Sequence, residues 1–238
     1  DLAVRYRFQY SLTGGAPWTT VYGLQGQSYI VDATGAADGV IVAGRVLAVD
    51  EVGNESAYSQ AVSTTIDGTG PVVTPVSPLV ELRTRETRPT WTWSGFDALS
   101  GVSHYIVTLD GEWPLQTTGE SFRPASALAE GAHLLKVYAV DKLGNVGAEI
   151  TFVTVIIDTT APGVPGMPIA EPGPNPNYPD ITNDNTPTWN WAPSANVDGD
   201  FHHYNVYQDG VKVAEVLTPT YTSATLADGL HVLEVTAV

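Results

Sequence analysis

The side chains best suited to chemistry in this chain are carboxylates and an amide in turns and linkers. The candidates are Asp67, Asp97, Asp141, Asn145, Asp158, Asp198 and Asp200. Together with loop carbonyls, such groups could supply the roughly six to eight oxygens that Ca²⁺ binds. A structural role fits equally well, because in Asp-x-x-Gly-Asn the aspartate caps a tight turn while glycine and asparagine accept positive φ. The two roles are compatible, so the sequence suggests calcium as a cofactor and leaves the turn role open beside it.

Catalytic motifs are missing from the sequence. It contains no Gly-x-Ser-x-Gly elbow, no His-Glu-x-x-His pair and no phosphate-binding loop. The carboxylates occupy turn positions that recur from one part of the chain to the next. A catalytic pair seldom recurs in this way, whereas a structural turn must. The sequence therefore predicts that this segment is not an enzyme.

The charge balance excludes several classes of partner. The 238 residues include 26 acidic and 10 basic side chains, for a formal charge of -16, and no cysteine. Nucleic acid and anionic lipid both require a basic surface, so neither is an expected partner. No apolar run approaches the roughly 18 residues of a membrane span, so membrane insertion of this segment is not expected. Disulfides and thiolate metal sites are impossible.

Aromatic and histidine side chains favour structural roles. His133 and His231 precede strong strand patterns and are predicted to be structural. His202 and His203 are adjacent on a predicted strand, so they should point to opposite faces and share no metal. Four tryptophans at alternate positions predict core packing, at Trp91, Trp93, Trp189 and Trp191. Contact with a partner or glycan remains open for two others near loops or edges, Trp18 and Trp113.

Internal repeats organise the elements that must position these side chains. Pro89-Thr-Trp-Thr-Trp93 recurs 98 residues later as Pro187-Thr-Trp-Asn-Trp191. A more diverged copy precedes them, because Ala48-Val-Asp-Glu-Val-Gly-Asn54 matches Ala139-Val-Asp-Lys-Leu-Gly-Asn145 at an offset of 91. Repeats of this length fit one β-sandwich each.

Alternating apolar residues and frequent turn residues predict an all-β chain. Leu135, Val137 and Ala139 share one face of a strand, and Lys136 lies on the other. For the second repeat, strands A, B, C, C′, E, F and G are predicted near 79–84, 88–94, 103–110, 114–118, 120–124, 133–140 and 148–157. The predicted fold is a series of tandem immunoglobulin-like β-sandwiches joined by short Pro-containing linkers.

The predicted domains are a partial sandwich over 1–67 starting near strand C, a complete one over 68–160, and one over 161–238 lacking its last strand. In this topology, the linker after strand G meets the BC and FG loops of the next sandwich. The acids should therefore converge in two groups: at the first junction Asp67, Asp97 and Asp141 with Asn145, and at the second Asp158, Asp198 and Asp200.

Several of these segments resemble tandem bacterial immunoglobulin-like repeats of large adhesins and fibronectin type III-like modules of secreted bacterial proteins. They are Asp158-Thr-Thr-Ala-Pro162, Ile181-Thr-Asn-Asp-Asn-Thr-Pro-Thr188, Leu128-Ala-Glu-Gly131 and Ala139-Val-Asp-Lys-Leu-Gly-Asn-Val146. The resemblance implies an extracellular or cell-surface location and calcium that rigidifies domain junctions. Fibronectin-like modules often carry a tyrosine where His133 and His231 stand. The first linker departs from the pattern, because Asp67-Gly-Thr-Gly-Pro71 adds two glycines that are expected to be flexible.

Three functional hypotheses follow. The first is a structural spacer in an adhesin stalk or surface filament. The second is a spacer or carbohydrate-binding accessory module of a secreted polysaccharide-degrading enzyme. The third is a self-assembling filament subunit in which neighbouring chains exchange strands. The expected partners are accordingly other domains of the same long chain, other copies of the chain, or a glycan or surface ligand.

Overall fold

The structure is a computed structural model that describes residues 5–171, 182–196, 199 and 201–238. Over these residues the chain forms twenty β-strands and no helix, which confirms the all-β prediction. No helix that could cross a membrane occurs in this part of the chain. The chain divides into two compact units, Asp1–Asp158 and Thr159–Val238. The predicted boundary after residue 67 falls within the first unit.

The first unit begins with a four-stranded antiparallel sheet. Its strands are β1 (Arg5–Ser11), β2 (Thr19–Leu24), β3 (Ile41–Val49) and β4 (Val62–Thr65). They lie in the order β2-β1-β3-β4. One face carries an aromatic cluster, in which the rings of Phe8 and Tyr29 are 5.4 Å apart. The opposite face carries Arg45, whose guanidinium carbon lies 4.3 Å from the ring centroid of Trp18 and 4.4 Å from that of Tyr58.

The rest of the first unit is a β-sandwich over residues 72–157. Its strands are β5 (Val72–Ser77), β6 (Leu82–Thr84), β7 (Trp91–Phe96), β8 (Val102–Leu109), β9 (Leu115–Thr117), β10 (Ser121–Phe122), β11 (Gly131–His133), β12 (Leu135–Asp141), β13 (Ile150–Thr151) and β14 (Val155–Ile157). Three sheets result, with strand orders β10-β7-β5, β11-β14-β6 and β13-β12-β8-β9.

The first strand of this sandwich differs from its prediction. A single strand is expected over 79–84, but the chain forms β5 and β6 in two different sheets. β5 pairs antiparallel with β7, whereas β6 pairs parallel with β14. Between them lies Pro78, which has no amide N–H and cannot continue the ladder with β7. The chain crosses from one sheet to the other between β5 and β6.

The core of the sandwich lies where the sequence alternation predicts it. Leu135, Val137 and Ala139 of β12 are fully buried, as is Trp91. Trp93 is also buried and meets Tyr105 edge-to-face, with 5.5 Å between ring centroids. The core role predicted for the paired tryptophans is thus confirmed here.

Within its described residues, the second unit forms two three-stranded sheets. Its strands are β15 (Ile169–Glu171), β16 (Thr188–Asn190), β17 (Tyr204–Gln208), β18 (Val211–Val216), β19 (Thr220–Thr222) and β20 (Leu233–Ala237), in the orders β15-β16-β19 and β18-β17-β20. Its buried core comprises Trp191, Tyr204, Val206 and Leu233. Trp189 packs against this core, and its indole N–H donates to the Ser223 hydroxyl at 3.0 Å.

Candidate metal centre

Three carboxylates that are distant in sequence meet at one end of the sandwich. Asp67 lies between β4 and β5, Asp97 follows β7 directly, and Asp141 ends β12. One oxygen from each lies within 4.8 Å of the other two. This is the convergence that strand order predicts for the first junction. Their role as metal ligands stays a prediction.

The backbone turn that carries Asp141 holds this carboxylate in place. Asp141 Oδ1 accepts hydrogen bonds from the amides of Leu143 and Asn145 at 2.8 and 2.7 Å, and Gly144 completes the turn with φ of 95°. Burial acts to raise the pKa of the Asp141 carboxyl, but the hydrogen bonds from Asn145, Ser100 and Leu143 outweigh it and hold the pKa below its ordinary value. The turn role and an ionised side chain are therefore both present.

Asn145 contributes a donor to the cluster. Its Nδ2 donates to Asp141 Oδ2 at 2.7 Å and to the Asp67 backbone carbonyl at 3.1 Å. The amide thus ties the linker to the FG turn. In this orientation Asn145 braces two of the acidic residues through its nitrogen, whereas a metal ligand would have to present Oδ1.

The BC loop organises the other two acids. Asp97 Oδ1 accepts from the amides of Gly101 at 2.6 Å and Leu99 at 3.1 Å, and Asp67 Oδ2 accepts from the Ser100 amide at 3.0 Å. Within the described residues, Asp67 Oδ1 and Asp97 Oδ2 accept no hydrogen bond from the protein. Each of these acids therefore keeps one oxygen for another ligand.

The cluster concentrates negative charge. Three carboxylates carry a formal charge of −3, and among the described residues no lysine, arginine or histidine forms an ion pair with any of them. The side chain of Lys142 lies close to Gly101 of the BC loop. Its Nζ would be 3.1 Å from a Cβ atom added to that glycine. The arrangement is chemically suited to a hard cation bound by oxygen.

The first linker, whose glycines the sequence predicts to be flexible, is hydrogen-bonded on both sides. The Gly68 amide donates to Asp38 Oδ1 at 2.8 Å in the loop before β3. A Cβ on Gly70 would overlap the backbone of Val146 and Gly147. Glycine is needed there because two backbones touch, so this residue reflects close packing. These contacts favour a fixed linker over the flexible one that the sequence predicts.

The second group of predicted ligands is only partly described. Asp158 lies after β14 and is nearly buried, with its Oδ2 accepting from Arg83 Nη1 at 2.9 Å. Its amide donates to the Thr84 carbonyl at 2.9 Å. Asp198 and Asp200 fall outside the described residues. The structure thus gives Asp158 a cationic partner within the first unit.

The two histidines predicted to be structural occupy matching places in their repeats. His133 Nδ1 lies 2.7 Å from Asp110 Oδ2, and His231 Nδ1 lies 2.8 Å from Asp209 Oδ2. Both aspartates have a left-handed backbone with φ of 53°. The Asp-Gly turn and the histidine, 23 residues apart in the first copy and 22 in the second, could have been paired from the repeat alone.

The other histidine pair departs from its prediction. His202 and His203 precede β17, so the alternation of a strand does not separate them. Their Nδ1 atoms lie 2.6 Å apart, and the rings meet edge-to-face. His203 Nε2 also lies 3.0 Å from Asn205 Oδ1.

Sequence reasoning missed several residues around the cluster. Ser100 binds Asp67, Asp38 anchors the linker, and Gly147 admits the linker backbone. The Asp-x-x-Ser-Gly pattern after β7 is a turn signal that could have indicated Ser100. Of the tryptophans left open for a partner, Trp113 is 92% exposed, whereas Trp18 stacks against Arg45.

The solved structures to which this chain is similar are arrays of fibronectin type III domains, all at low sequence identity. No protein-family model matches the sequence, and no curated protein matches it. Similar solved structures include the chicken CNTN1 FN1-FN3 domains, with 15% identity and a TM-score of 0.42 over 98% of this chain and 83% of that one.

Two further arrays of fibronectin type III-like modules are similar at lower TM-scores. The fibronectin(III)-like modules of Clostridium thermocellum CbhA match 66% of this chain and 78% of theirs, at 15% identity and a TM-score of 0.33. The central fibronectin-III array of RIM-binding protein matches 73% of this chain and 64% of its own, at 16% identity and a TM-score of 0.25.

Proposed function

We propose that this chain is a non-catalytic spacer segment of a large extracellular bacterial protein, such as an adhesin stalk or surface filament. Its modules would be the predicted segments 1–67, 68–160 and 161–238. The observation that carries this proposal is the first linker, which hydrogen-bonds to Asp38 before it and to Asn145 after it. A joint anchored on both sides resists bending, and resistance to bending is what a spacer requires.

Calcium at the first junction would strengthen this joint. Two oxygens on opposite sides of a Ca²⁺ ion, each about 2.4 Å away, are about 4.8 Å apart. The oxygens of Asp67, Asp97 and Asp141 lie within that separation. Loop carbonyls and water would supply the remaining ligands. The three acids come from the linker, the BC loop and the FG turn. One cation bound to all of them would therefore hold these three segments together.

Electrostatics favours an added cation. Two unit charges about 4 Å apart repel by about 1 kcal/mol in water, and by more where solvent is partly excluded. Three such pairs exist in the cluster when all its carboxylates are ionised. A divalent cation would replace this repulsion by attraction, and the gain would be largest at low salt.

The stiffness of the joint can be measured by spin labelling. The chain has no cysteine, so Gln60→Cys with Gln116→Cys would place labels on exposed residues on either side of the linker. We expect a narrow distance distribution that narrows further with Ca²⁺. Asp38→Ala, which releases the Gly68 amide, should broaden it. A broad distribution in the parent protein, unchanged by Asp38→Ala, would contradict the spacer proposal.

One observation favours the accessory-module alternative. Trp113 is 92% exposed in the turn after β8, and an exposed indole ring can stack on a sugar. If this chain serves a polysaccharide-degrading enzyme, it should be retained on insoluble polysaccharide, and Trp113→Ala should abolish retention. Equal retention of both proteins would argue against a glycan role for this side chain.

A further inference from the structure

The histidine before strand F is held in the same way in the two repeats that contain it. In the first unit, His133 Nδ1 contacts Asp110 Oδ2 at 2.7 Å, and Nε2 contacts the Ala129 carbonyl at 2.9 Å. Asp110 Oδ1 also accepts from the Leu134 amide at 2.7 Å. This links the turn between β8 and β9 to the loop that enters β11.

The second unit repeats these contacts almost atom for atom. His231 Nδ1 contacts Asp209 Oδ2 at 2.8 Å, and Nε2 contacts the Ala227 carbonyl at 2.9 Å. Asp209 Oδ1 accepts from the Val232 amide at 2.8 Å. The two segments share the pattern Leu-Ala-acid-Gly-x-His and an Asp-Gly turn, so the same residue types make the same contacts in both repeats. We call each such pair, with its alanine carbonyl, a histidine latch.

Both ring nitrogens of each latch face groups that accept hydrogen bonds. A backbone carbonyl can only accept, and an ionised carboxylate can only accept. Neutral imidazole has one N–H and can satisfy just one of them, leaving a nitrogen lone pair against an oxygen. The imidazolium form donates to both partners at once. The geometry therefore fits a histidine that carries two protons.

Other charged groups near the first latch do not alter this conclusion. The elements packed around His133 carry Asp110 and Glu112 in the turn, Glu130 in the preceding loop, and Lys136 on β12, while β14 carries none. Asp110 is the charge that acts directly on the ring. Burial of this side chain opposes protonation, but the hydrogen bonds to Asp110 and Ala129 outweigh it, so the pKa of His133 is raised.

The second latch has a similar charge environment, with three acidic residues and one basic residue nearby. Around His231 lie Asp209 and Lys212 on the β17–β18 hairpin, Asp228 in the preceding loop, and Glu234 on β20. Asp209 makes the contact, and its hydrogen bond raises the pKa of His231 with help from the Ala227 carbonyl. The same bond lowers the pKa of Asp209.

We propose that the two histidine latches are proton-dependent contacts. When the imidazole is protonated, each latch holds the turn after strand C against the loop before strand F. When the imidazole is neutral, this contact weakens. A histidine whose pKa is raised by folding stabilises the folded state fully below its unfolded value of about 6.5. That stabilisation is lost as pH rises through the folded pKa. The stability of each sandwich should thus fall across neutral to mildly alkaline pH, independently of any cation bound at the first junction.

The direct test is a histidine titration by ¹H–¹⁵N NMR on the whole chain. We expect His133 and His231 to titrate above 6.5 with both nitrogens protonated at lower pH. Asp110→Asn should lower the pKa of His133 alone, and Asp209→Asn that of His231 alone, because each removes one carboxylate. Titration of either histidine at or below 6.5 in the parent protein would overturn the proposal for that repeat.

Stability supplies a second readout. Between pH 6 and pH 8.5 the folded-to-unfolded ratio of the parent protein should fall by up to tenfold for each pKa unit that folding adds to a latch histidine. The paired substitution His133→Gln with His231→Gln should remove this fall. His104→Gln is the matched control and should leave the fall intact, because among the described residues the His104 imidazole contacts the Ser103 hydroxyl and forms no ion pair with a carboxylate. A fall that persists in the paired variant would show that other groups cause it.

Discussion

Asp141 and Asp50 allow the turn role of an aspartate to be separated from its proposed role as a metal ligand. Asp50 Oδ1 accepts from the amides of Val52 and Asn54 at 3.0 and 2.7 Å, matching the turn that Asp141 makes. Only Asp141 belongs to the acidic cluster found among the described residues. Asp141→Asn and Asp50→Asn therefore each remove one negative charge from the same type of turn. Only Asp141→Asn also removes a charge from the acidic cluster.

The expected magnitude follows from ligand linkage. Calcium at about 100 times its dissociation constant stabilises the folded state by about 2.7 kcal/mol. For a unit of 158 residues, about 1 kcal/mol corresponds to roughly 2–4 °C, so the parent protein should gain about 5–10 °C. Asp50→Asn should show the same gain from a lower starting point, because it weakens only a turn. Asp141→Asn should show little gain, since one ligand charge is gone.

Differential scanning calorimetry with calcium and with chelator measures these gains directly. Magnesium at the same concentration is the ionic control, because it demands a tighter octahedral site. The reasoning is refuted if the parent protein melts at the same temperature with calcium and with chelator. It is also refuted if Asp50→Asn and Asp141→Asn lose the calcium response equally. In either case the acids of the cluster serve the turns and the linker alone.

Three further substitutions or titrations test the packing. Gly70→Ala should destabilise the first unit by about 1–3 kcal/mol in urea unfolding, because its Cβ meets backbone, whereas Gly68→Ala should be tolerated. Burial raises the pKa of Tyr105 to about 12, aided by its hydrogen bond to Glu120. Absorbance titration should therefore find one tyrosine that is still protonated at pH 11, and Tyr105→Phe should lack this late-titrating tyrosine. Trp91→Ala should cost about 3–5 kcal/mol in urea unfolding, because it empties a fully buried site; a smaller loss would mean that the core collapses into the space.

The acidic cluster shows how far reasoning from repeats can reach. Asp67, Asp97 and Asp141 are assigned to one pole once the strands are lettered, because strand direction decides which loops share an end. The orientation of Asn145 was beyond that reasoning. Its amide nitrogen faces the acids because the turn leaves Asp141 Oδ2 and the Asp67 carbonyl as nearby acceptors. Such a choice depends on atoms from segments 78 residues apart.

At the second junction, an arginine pairs with a carboxylate that the sequence predicts to be a metal ligand. Its linker keeps the segment that resembles adhesin repeats, and Asp158 in that segment is one of the predicted ligands. In the folded chain Arg83 reaches this carboxylate because β6 pairs in parallel with β14. That pairing arises from the strand that changes sheets after Pro78. The residues next to Asp158 in the sequence do not indicate this strand pairing, so the ion pair with Arg83 could not be predicted.

The sequence by itself determined the all-β class, the repeat lengths, the inward face of β12 and the pole at which Asp67, Asp97 and Asp141 meet. These properties follow from periodicity and chain direction, which are local or additive along the chain. Only the tertiary structure decided that Gly70 is a packing requirement, that Arg83 binds Asp158, and that each latch histidine faces two acceptors. Each of these depends on distances of about 3 Å between remote segments, and such distances are set by how the sheets pack against one another.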